Sequence, residues 1–368
     1  MTSPHSVNVP SIRFKGFTDV WEECKLEEIC NYYASSLSAK HINNEGIYDL
    51  YDANTIIGKT NTDCMKEDYI TIIKDGAGVG RTRLLPKGSM FLGTMGAITP
   101  RNSNLDFLYQ LVSNANLGSL YTGSTIPHIY FKDYGKNTYH VPHIVEQEQI
   151  GAFFYNIDHY ITFYRYKYDK LQNIKKSMLE KMFPKNGSNI PEIRFAGFTD
   201  AWEQRKLSDL IIEYKETVDS DCTLPVLTSS KTEGVVLQEE HFGRVQNHDI
   251  TGYNILPRNY CTYRNRSDGV DFTFNINRCC DKGIISKFYP VFYGNNSDIF
   301  FISMVLNYCD EVVHEIAYTC TGTGQKVLSF LDLQKMNIRV PSYDEQKKIS
   351  QYFEQLDNLI TLHQREIL

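Results

Sequence analysis

Residues 11–26 read SIRFKGFTDVWEECKL, and residues 192–207 read EIRFAGFTDAWEQRKL. The two stretches begin 181 residues apart and share the pattern I-R-F-x-G-F-T-D-x-W-E-x-x-K-L, which is too long to match by chance. A second pair of motifs, Val-Pro followed by Glu-Gln, begins at Val141 and again at Val340. A repeat of this kind predicts two copies of one structural unit in a single chain.

The segments between the paired motifs, here called the bodies, hardly match each other. Each body is rich in short runs of β-forming residues that are separated by turn signals. A repeated frame that carries two dissimilar β-rich bodies is typical of a protein that reads two different targets.

The segment after each Glu-Gln pair has the spacing of an amphipathic helix, because apolar side chains recur at steps of three and four. The side chains predicted to pair the two helices are Ile150, Phe154, Ile157, Ile161, Tyr164, Tyr168, Ile349, Phe353, Leu356, Ile360 and Ile367. We expect the helices to pack as an antiparallel coiled coil, with a pseudo-two-fold axis relating the bodies. The alternative is that each helix lies on its own body. The apolar stripe of each helix is here called its seam, and the seam of the second helix is expected to be the shorter one.

The predicted fold class is therefore α+β, with two β-rich domains joined by two long helices. The expected boundaries are residues 1–145 for the first domain, 146–190 for a helical spacer, 191–340 for the second domain and 341–368 for a short distal helix.

Composition limits the classes of function. The 368 residues carry a net charge of −6 with a pI near 6.0, which argues against uniform attraction to nucleic acid but permits local basic patches. We expect a cytoplasmic protein with no membrane contact, since no apolar leader or spanning segment is visible. The nine cysteines form no C-x-x-C pair, so we predict reduced, buried thiols and no metal site.

Basic residues cluster in both bodies. Between residues 74 and 101 five basic residues oppose one acidic residue, and between residues 258 and 287 six oppose three. Arginine pairs with guanine edges, lysine neutralises phosphates, and small-residue loops offer N–H and hydroxyl groups to a phosphate. The candidate DNA-binding residues are Lys74, Arg81, Arg83, Arg101, Thr122, Ser124, Thr125, Arg258, Arg264, Arg266, Thr323, Gln325 and Lys326. The alternatives are solvated surface charges and, for the loops, tight turns.

No catalytic residues are predicted. The glycines at residues 76–80 and the Gly-Gln-Lys at residues 324–326 lack the spacing of a dinucleotide fingerprint or a P-loop. Glu345-x-Lys347 fits half of a nuclease carboxylate–lysine motif, but it also fits the polar first turn of a helix, which is favoured.

The doubled motifs resemble those of specificity subunits of type I restriction–modification enzymes, in the same order and over essentially the whole chain. The resemblance implies two target recognition domains, each reading one half of a split, asymmetric site in double-stranded DNA. It also implies two modification (methyltransferase) subunits and two restriction subunits as partners. This chain would be non-catalytic and hold no cofactor, because S-adenosylmethionine, ATP and Mg²⁺ would belong to the partners.

Two alternatives from other classes stay open at this point. One is an autonomous DNA methyltransferase or endonuclease with duplicated recognition domains. The other is a scaffold that joins two proteins through its coiled coil without binding DNA.

Overall fold

The computed structural model describes residues 10–43, 45–123, 125–185, 187–245, 249–322 and 324–367. The chain divides into two compact units, Met1–Phe163 (unit 1) and Tyr164–Leu368 (unit 2). The division falls inside the predicted helical spacer, and the finer domain boundaries stay predictions. Over the described ranges, no helix has the length and apolar character needed to span a bilayer.

Unit 1 is built from short strands and a few helices. Its strands are β1 Glu22–Lys25, β2 Cys30–Ala34, β3 Tyr48–Tyr51, β4 Ile56–Thr60, β5 Tyr69–Ile73, β6 Thr82–Leu85, β7 Ser89–Phe91, β8 Met95–Pro100 and β9 Thr138–Val141. Its α-helices are α1 Leu26–Ile29, α2 Leu105–Ser113, α3 Phe131–Tyr134 and the long α4 Ile144–Lys181, which continues into unit 2. The main sheet has the order β2-β8-β5-β6 and is antiparallel.

Apolar β-branched residues explain the position of the central strand. All five residues of β5, sequence YITII, are buried, as expected for a strand that is covered on both faces. Helix α2 begins at the cap residue Asn104, whose side chain accepts the Phe107 N–H at 3.0 Å. Phe107 and Ile70 belong to one buried apolar cluster, so the helix is fixed against the sheet.

Unit 2 has a similar order of elements. Its strands are β10 Glu203–Lys206, β11 Ile211–Tyr214, β12 Leu227–Ser230, β13 Gly234–Leu237, β14 Asn254–Pro257, β15 Cys261–Thr262, β16 Arg266–Ser267, β17 Asn275–Ile276, β18 Lys282–Ile285, β19 Val291–Gly294, β20 Lys326–Val327 and β21 Asn337–Val340. Its further α-helices are α5 Leu207–Leu210, α6 Gln238–Phe242, α7 Ile299–Tyr308, α8 Asp310–Thr319, α9 Phe330–Lys335 and α10 Tyr343–Ile367. The main sheet, β11-β19-β15-β17, corresponds in order to β2-β8-β5-β6 of unit 1. This mixture of sheet and helix in both units confirms the predicted α+β class.

In unit 1 the repeated motifs bind each other. Arg13, from the I-R-F sequence, donates two hydrogen bonds of 2.6 Å to the carboxylate of Glu146, which is buried. The adjacent Gln147 donates to the Pro142 carbonyl at 2.9 Å and accepts the Asn104 N–H at 3.0 Å. The Glu-Gln pair therefore joins the start of α4 to the opening motif and to the cap of α2.

Unit 2 repeats each of these bonds. Arg194 donates two hydrogen bonds of 2.7 Å to buried Glu345, and Gln346 bonds the Pro341 carbonyl at 2.9 Å and the Asp298 N–H at 3.0 Å. Asp298 caps α7 as Asn104 caps α2. Glu345 thus lies in the first turn of α10, as predicted, and it is a buried, ion-paired residue of the frame.

Within unit 2 the two long helices pack antiparallel, as predicted. The Tyr164 and His363 rings lie 5.6 Å apart, and the Lys175 ammonium is 2.6 Å from the Asp357 carboxylate. Residues later in α4 therefore meet residues earlier in α10. Four predicted seam residues of α10 are buried, namely Ile349, Phe353, Leu356 and Ile360. Three further seam residues are half-buried, namely Ile367, Tyr164 and Tyr168.

The first part of α4 lies in unit 1, where its predicted seam residues are more exposed. Ile150 packs against the unit 1 core, so this residue follows the alternative in which a helix lies on its own body. Phe154 is 40% exposed, and Ile157 and Ile161 are half-buried. A pairing role for these four residues stays a prediction.

The cysteines depart in part from the prediction of burial. Cys30 and Cys261 are buried in the two cores, whereas Cys279 is exposed in the connection between β17 and β18.

Candidate nucleic-acid interface

In unit 1 the loop after β5 is joined to a small-residue loop near the end of the body. The Ile129 N–H donates to the Lys74 carbonyl at 2.9 Å, and Asp75 and His128 form an antiparallel bridge. Thr122 and His128 exchange two backbone hydrogen bonds of 2.8 Å, which close the second loop on itself. We call this arrangement the loop junction.

Unit 2 builds the same loop junction from different residues. The Leu328 N–H donates to the Asn265 carbonyl at 3.0 Å, and Arg266 bridges Val327 where unit 1 has Asp75 and His128. Thr321 and Val327 exchange two backbone hydrogen bonds of 3.1 and 2.9 Å. The backbone of the junction is therefore common to both units.

The side chains at the junction differ in charge and chemistry. In unit 1 the His128 Nδ1 lies 2.7 Å from the Asp75 carboxylate, and both side chains are about one third exposed, at 35% and 32%. In unit 2 the Arg266 guanidinium lies 4.6 Å from the centre of the Phe288 ring, and its partner position is the apolar Val327. One backbone scaffold thus presents a carboxylate and an imidazole in unit 1 but a cation in unit 2.

The small-residue loops are tight turns that need glycine. Gly123 and Gly322 have φ angles of +101° and +99°, in the left-handed region that other residues rarely adopt. A Cβ on Gly123 would lie 2.5 Å from the Ile126 carbonyl oxygen, and one on Gly322 would meet the Gln325 carbonyl oxygen. The turn interpretation of these loops is correct, and a phosphate-binding role remains a separate proposal.

The polar side chains of these loops face solvent. Thr122, Thr125 and Gln325 are exposed, while Lys326 is half-buried and its ammonium donates to the Gly322 carbonyl at 2.9 Å. Two other candidates, Ser124 and Thr323, lie outside the described residues.

Two further cations of unit 1 lie close to the loop junction, but both have partners. Arg81 ends the loop after β5 and donates to the Ala53 carbonyl at 2.9 Å and to the Asn54 side chain at 2.6 Å. Arg83 stacks over the Tyr51 ring at 5.2 Å, and one of its guanidinium nitrogens is buried. Arg81 is exposed and able to contact a ligand, whereas Arg83 is largely part of the packing.

The structure separates Arg101 and Arg258 from the other candidates. Arg101 follows the end of β8, which runs antiparallel to β5, so it lies at the opposite end of the sheet from the loop after β5. It bonds the Asn31 side chain at 2.8 Å. Arg258 precedes β15, whereas Arg266 follows it, and Arg258 pairs with Asp281 at 2.8 Å. Closeness in sequence therefore did not bring these cations to one surface.

The family described as the type I restriction modification DNA specificity domain matches residues 18–173 and 281–368, which is more than half of the chain. The chain belongs to this family.

Two similar proteins extend the comparison over more of the chain. The specificity subunit of the type I restriction enzyme MjaVIII from Methanocaldococcus jannaschii is 23% identical over 370 residues, which cover 92% of this chain and 83% of that protein. The crystal structure of a type I restriction–modification S subunit from M. genitalium matches with a TM-score of 0.66 at 12% identity. That match covers 97% of this chain and 94% of the other, and it shows a common fold.

Family membership confirms the resemblance inferred from the doubled motifs. It also confirms that the chain is a specificity subunit, a non-catalytic part of a restriction–modification complex that takes part in DNA sequence recognition. The loop junctions are thus candidate DNA-reading surfaces of a specificity subunit.

One element beside the unit 2 junction, the β12–β13 hairpin, was not predicted as part of the site from the sequence. Lys231, at the tip of the β12–β13 hairpin, forms an ion pair with Asp271, and both line a cavity of about 410 Å³ together with Arg264 and Arg266. The hydrogen bond from Lys231, with a weaker one from Ser267, lowers the pKa of Asp271 below its usual value. The turn sequence around Lys231 predicts a hairpin, but nothing local predicts its position beside Arg266.

Proposed function

We propose that this specificity subunit reads a bipartite, asymmetric DNA site, with one half-site for each target recognition domain. The domains are those expected from the sequence, residues 1–145 and 191–340, with residues 146–190 and 341–368 as helical spacers. The observation that carries the proposal is the loop junction, because both units build it with the same backbone bonds and different side chains. Equal scaffolds with unequal side chains favour two different half-sites.

In the proposed first reading surface, the loops supply phosphate contacts and the junction supplies base contacts. Lys74, Arg81, Thr122 and Thr125 lie on the loops and would neutralise or hydrogen-bond phosphates. The Asp75 carboxylate would accept from an exocyclic amine of a base, as carboxylates do with cytosine N4.

The proposed second reading surface offers a hydrogen-bond donor to the bases, whereas the first offers an acceptor. Arg266 stacks on Phe288, which leaves the donor edge of its planar guanidinium available for the O6 and N7 atoms of guanine. Arg264, Gln325 and Lys326 would add contacts to the DNA backbone or to neighbouring bases.

We also infer that the chain works with two modification and two restriction subunits, and that these partners hold S-adenosylmethionine, ATP and Mg²⁺. The net charge of −6 supports this division, since an acidic chain needs partners that contribute positive potential around DNA. The helical spacers are the proposed docking elements, because they belong to the repeated frame and not to the bodies.

An exchange of residues 27–140 for the corresponding body of a relative tests the proposal. The expected result is that methylated adenines, mapped in DNA from cells that carry the subunit and its modification partner, change at one half-site only. The matched control is the reciprocal exchange of the second body, which should change the other half-site. A change of both half-sites after a single exchange would contradict independent reading.

A further inference from the structure

In unit 1 an aromatic ring lies directly beside the polar pair of the loop junction. The Tyr130 ring stacks on the His128 imidazole, with ring centres 6.4 Å apart and planes inclined by 21°. His128 in turn lies 2.7 Å from the Asp75 carboxylate. The ammonium of Lys132 is 5.3 Å from the centre of the Tyr130 ring. Two neighbours therefore position the ring next to the pair that is proposed to read a base.

The corresponding residue in unit 2 has a different task. Ser329 follows the junction residue Leu328 as Tyr130 follows Ile129. The Ser329 hydroxyl accepts the Asp332 N–H at 3.1 Å and so caps helix α9, a position that favours serine. Tyr130 precedes helix α3 in the same way, but among the described residues its side chain makes no capping bond. Unit 1 thus has an aromatic ring where unit 2 has a stabilising cap.

Tyr130 belongs to a patch of exposed apolar side chains on the unit 1 loop. Tyr121 and Ile126 are each 54% exposed, and Tyr130 is 49% exposed. The corresponding residues in unit 2 are Cys320, Gln325 and Ser329. A single exposed apolar side chain needs no explanation, but three within ten residues of one loop form a patch. Because unit 2 has smaller or polar residues at these positions, the patch points to what unit 1 recognises and not to the common frame.

The chemistry of the major groove limits what such a patch can contact on DNA. Base pairs present hydrogen-bond donors and acceptors there, and the apolar group among them is the 5-methyl group of thymine. A tyrosine ring next to a carboxylate and an imidazole therefore matches a thymine methyl group that lies beside a base amine. In unit 2 the serine is turned into a helix cap and offers no equivalent contact.

We propose that Tyr130 is a specificity-determining residue of unit 1, whose ring contacts the 5-methyl group of a thymine in the first half-site. His128 and Lys132 position the ring, and Asp75 accepts from a base amine next to that methyl group. The inference rests on the proposed function, because it names the base chemistry that the first reading surface recognises. The half-site of unit 1 therefore contains a thymine that is sensed through its methyl group.

Replacement of single thymines by deoxyuridine tests this contact, because it removes the methyl group and keeps the base pairing. The subunit, assembled with its modification partner, is titrated with duplexes in which each thymine of the mapped site is replaced in turn. We expect one replacement in the half-site of unit 1 to weaken binding about fourfold, the effect expected when one methyl group is no longer buried. This loss of affinity is here called the thymine effect.

Two substitutions of Tyr130 assign the thymine effect to its ring. Tyr130→Ser should abolish the effect, so that thymine and deoxyuridine duplexes bind equally. This variant should not lower the melting temperature of unit 1, because serine can supply the missing cap of α3. Tyr130→Phe keeps the ring and should restore the thymine effect. The control is Tyr318→Ser, which removes a 90% exposed ring from α8 of unit 2 and should leave the effect unchanged.

Three results would overturn the proposal. The first is a unit 1 half-site that lacks thymine, or in which every thymine tolerates deoxyuridine. The second is an undiminished thymine effect in the Tyr130→Ser complex, which would leave the ring to base stacking or to the DNA backbone. The third is loss of the effect in Tyr130→Phe, which would assign the contact to the phenolic hydroxyl group.

The body exchange tests the proposed function separately from this contact. One half-site can change after the exchange although every thymine tolerates deoxyuridine, and then the Tyr130 contact alone is wrong. Both half-sites can change although one thymine still depends on Tyr130, and then independent reading alone is wrong.

Discussion

Unit 1 and unit 2 have the same frame and different loop junctions. The Arg13–Glu146 and Arg194–Glu345 pairs have nearly equal geometry, with hydrogen bonds of 2.6 and 2.7 Å. At the loop junction, by contrast, Asp75 and His128 of unit 1 are replaced by a cation and an apolar residue in unit 2. Because the same backbone bonds hold the junction in both units, its side chains can differ while the strand pairing is kept. Fold and target preference are therefore carried by separate residues.

The largest expected effect comes from breaking the frame of one unit. Arg194→Ala would leave Glu345, which is 1% exposed, without its ion-pair partner. Loss of one partner of a buried pair costs about 3–5 kcal/mol, so we expect the unfolding transition of unit 2 to move to a markedly lower temperature. Calorimetry that resolves the transitions of the two units would measure this shift.

The control for this variant is an arginine that pairs with another glutamate of the same helix, α10. Arg278 pairs with Glu354 of α10, and both side chains are substantially exposed, at 47% and 36%. Arg278→Ala should therefore cost about 1 kcal/mol or less. Equal effects of the two substitutions would show that the buried pair is not what holds the frame.

A smaller effect is expected on DNA recognition by one half of the molecule. Arg266→Ala should cost about 1–3 kcal/mol of binding by the assembled complex and relax base preference at one position of one half-site. Affinity for DNA with single-base changes in each half-site would measure this. Arg258→Ala is the control, because that side chain lies at the other end of the sheet. Weakening that is uniform over both half-sites would assign Arg266 to phosphate binding.

The frames themselves differ at one position, which holds serine in unit 2 and glycine in unit 1. Ser350 of α10 donates to the Asp298 carboxylate at 2.5 Å, whereas α4 has Gly151 at the corresponding place. A Cβ on Gly151 would lie 2.5 Å from the Asn104 Oδ1 and 2.9 Å from the Phe107 nitrogen. Gly151→Ser should thus destabilise unit 1 by about 1–3 kcal/mol through overpacking.

The reciprocal change, serine to glycine in unit 2, tests the same difference between the frames. Ser350→Gly loses one hydrogen bond and places glycine inside a helix, for a cost of about 1–2 kcal/mol in unit 2. Thermal unfolding of both variants would compare the two sites. A Gly151→Ser chain as stable as the unsubstituted protein would show that the cap of α2 adjusts as the cap of α7 does.

Much of this architecture was predictable from the sequence, because the repeat appears as short motifs and as helical periodicity. The seam of α10 predicted the burial of Ile349, Phe353, Leu356 and Ile360, since helical periodicity depends only on near neighbours. The role of Glu345 was not predictable in this way. Its partner Arg194 is 151 residues away, and a Glu-Gln pair at a helix start fits a solvated first turn equally well.

The sequence predicted which kinds of residue form the candidate DNA-reading surface, but not which of them lie together. A charge count along the chain grouped Arg101 with Lys74, although antiparallel strands carry these residues to opposite ends of the sheet. Conversely, Asp75 and His128 gave no signal because they are 53 residues apart, and only the junction brings them together. Residues that meet through strand pairing need knowledge of the register, which periodicity does not supply.

The smallest expected effect concerns the hairpin beside the unit 2 junction. Because Lys231 lowers the pKa of Asp271 in the folded protein, their contact contributes stability above the unfolded carboxyl pKa of about 3.9. This contribution is lost as the pH falls through the lower, folded value. The pair is largely exposed, at 62% and 65%, so the loss should loosen the β12–β13 hairpin without unfolding unit 2. Carboxyl NMR titration of a Lys231→Met variant should return the pKa of Asp271 toward its usual value. An unchanged titration would mean that Lys231 does not set this pKa, and that the hairpin is held against the unit 2 junction by contacts other than this ion pair.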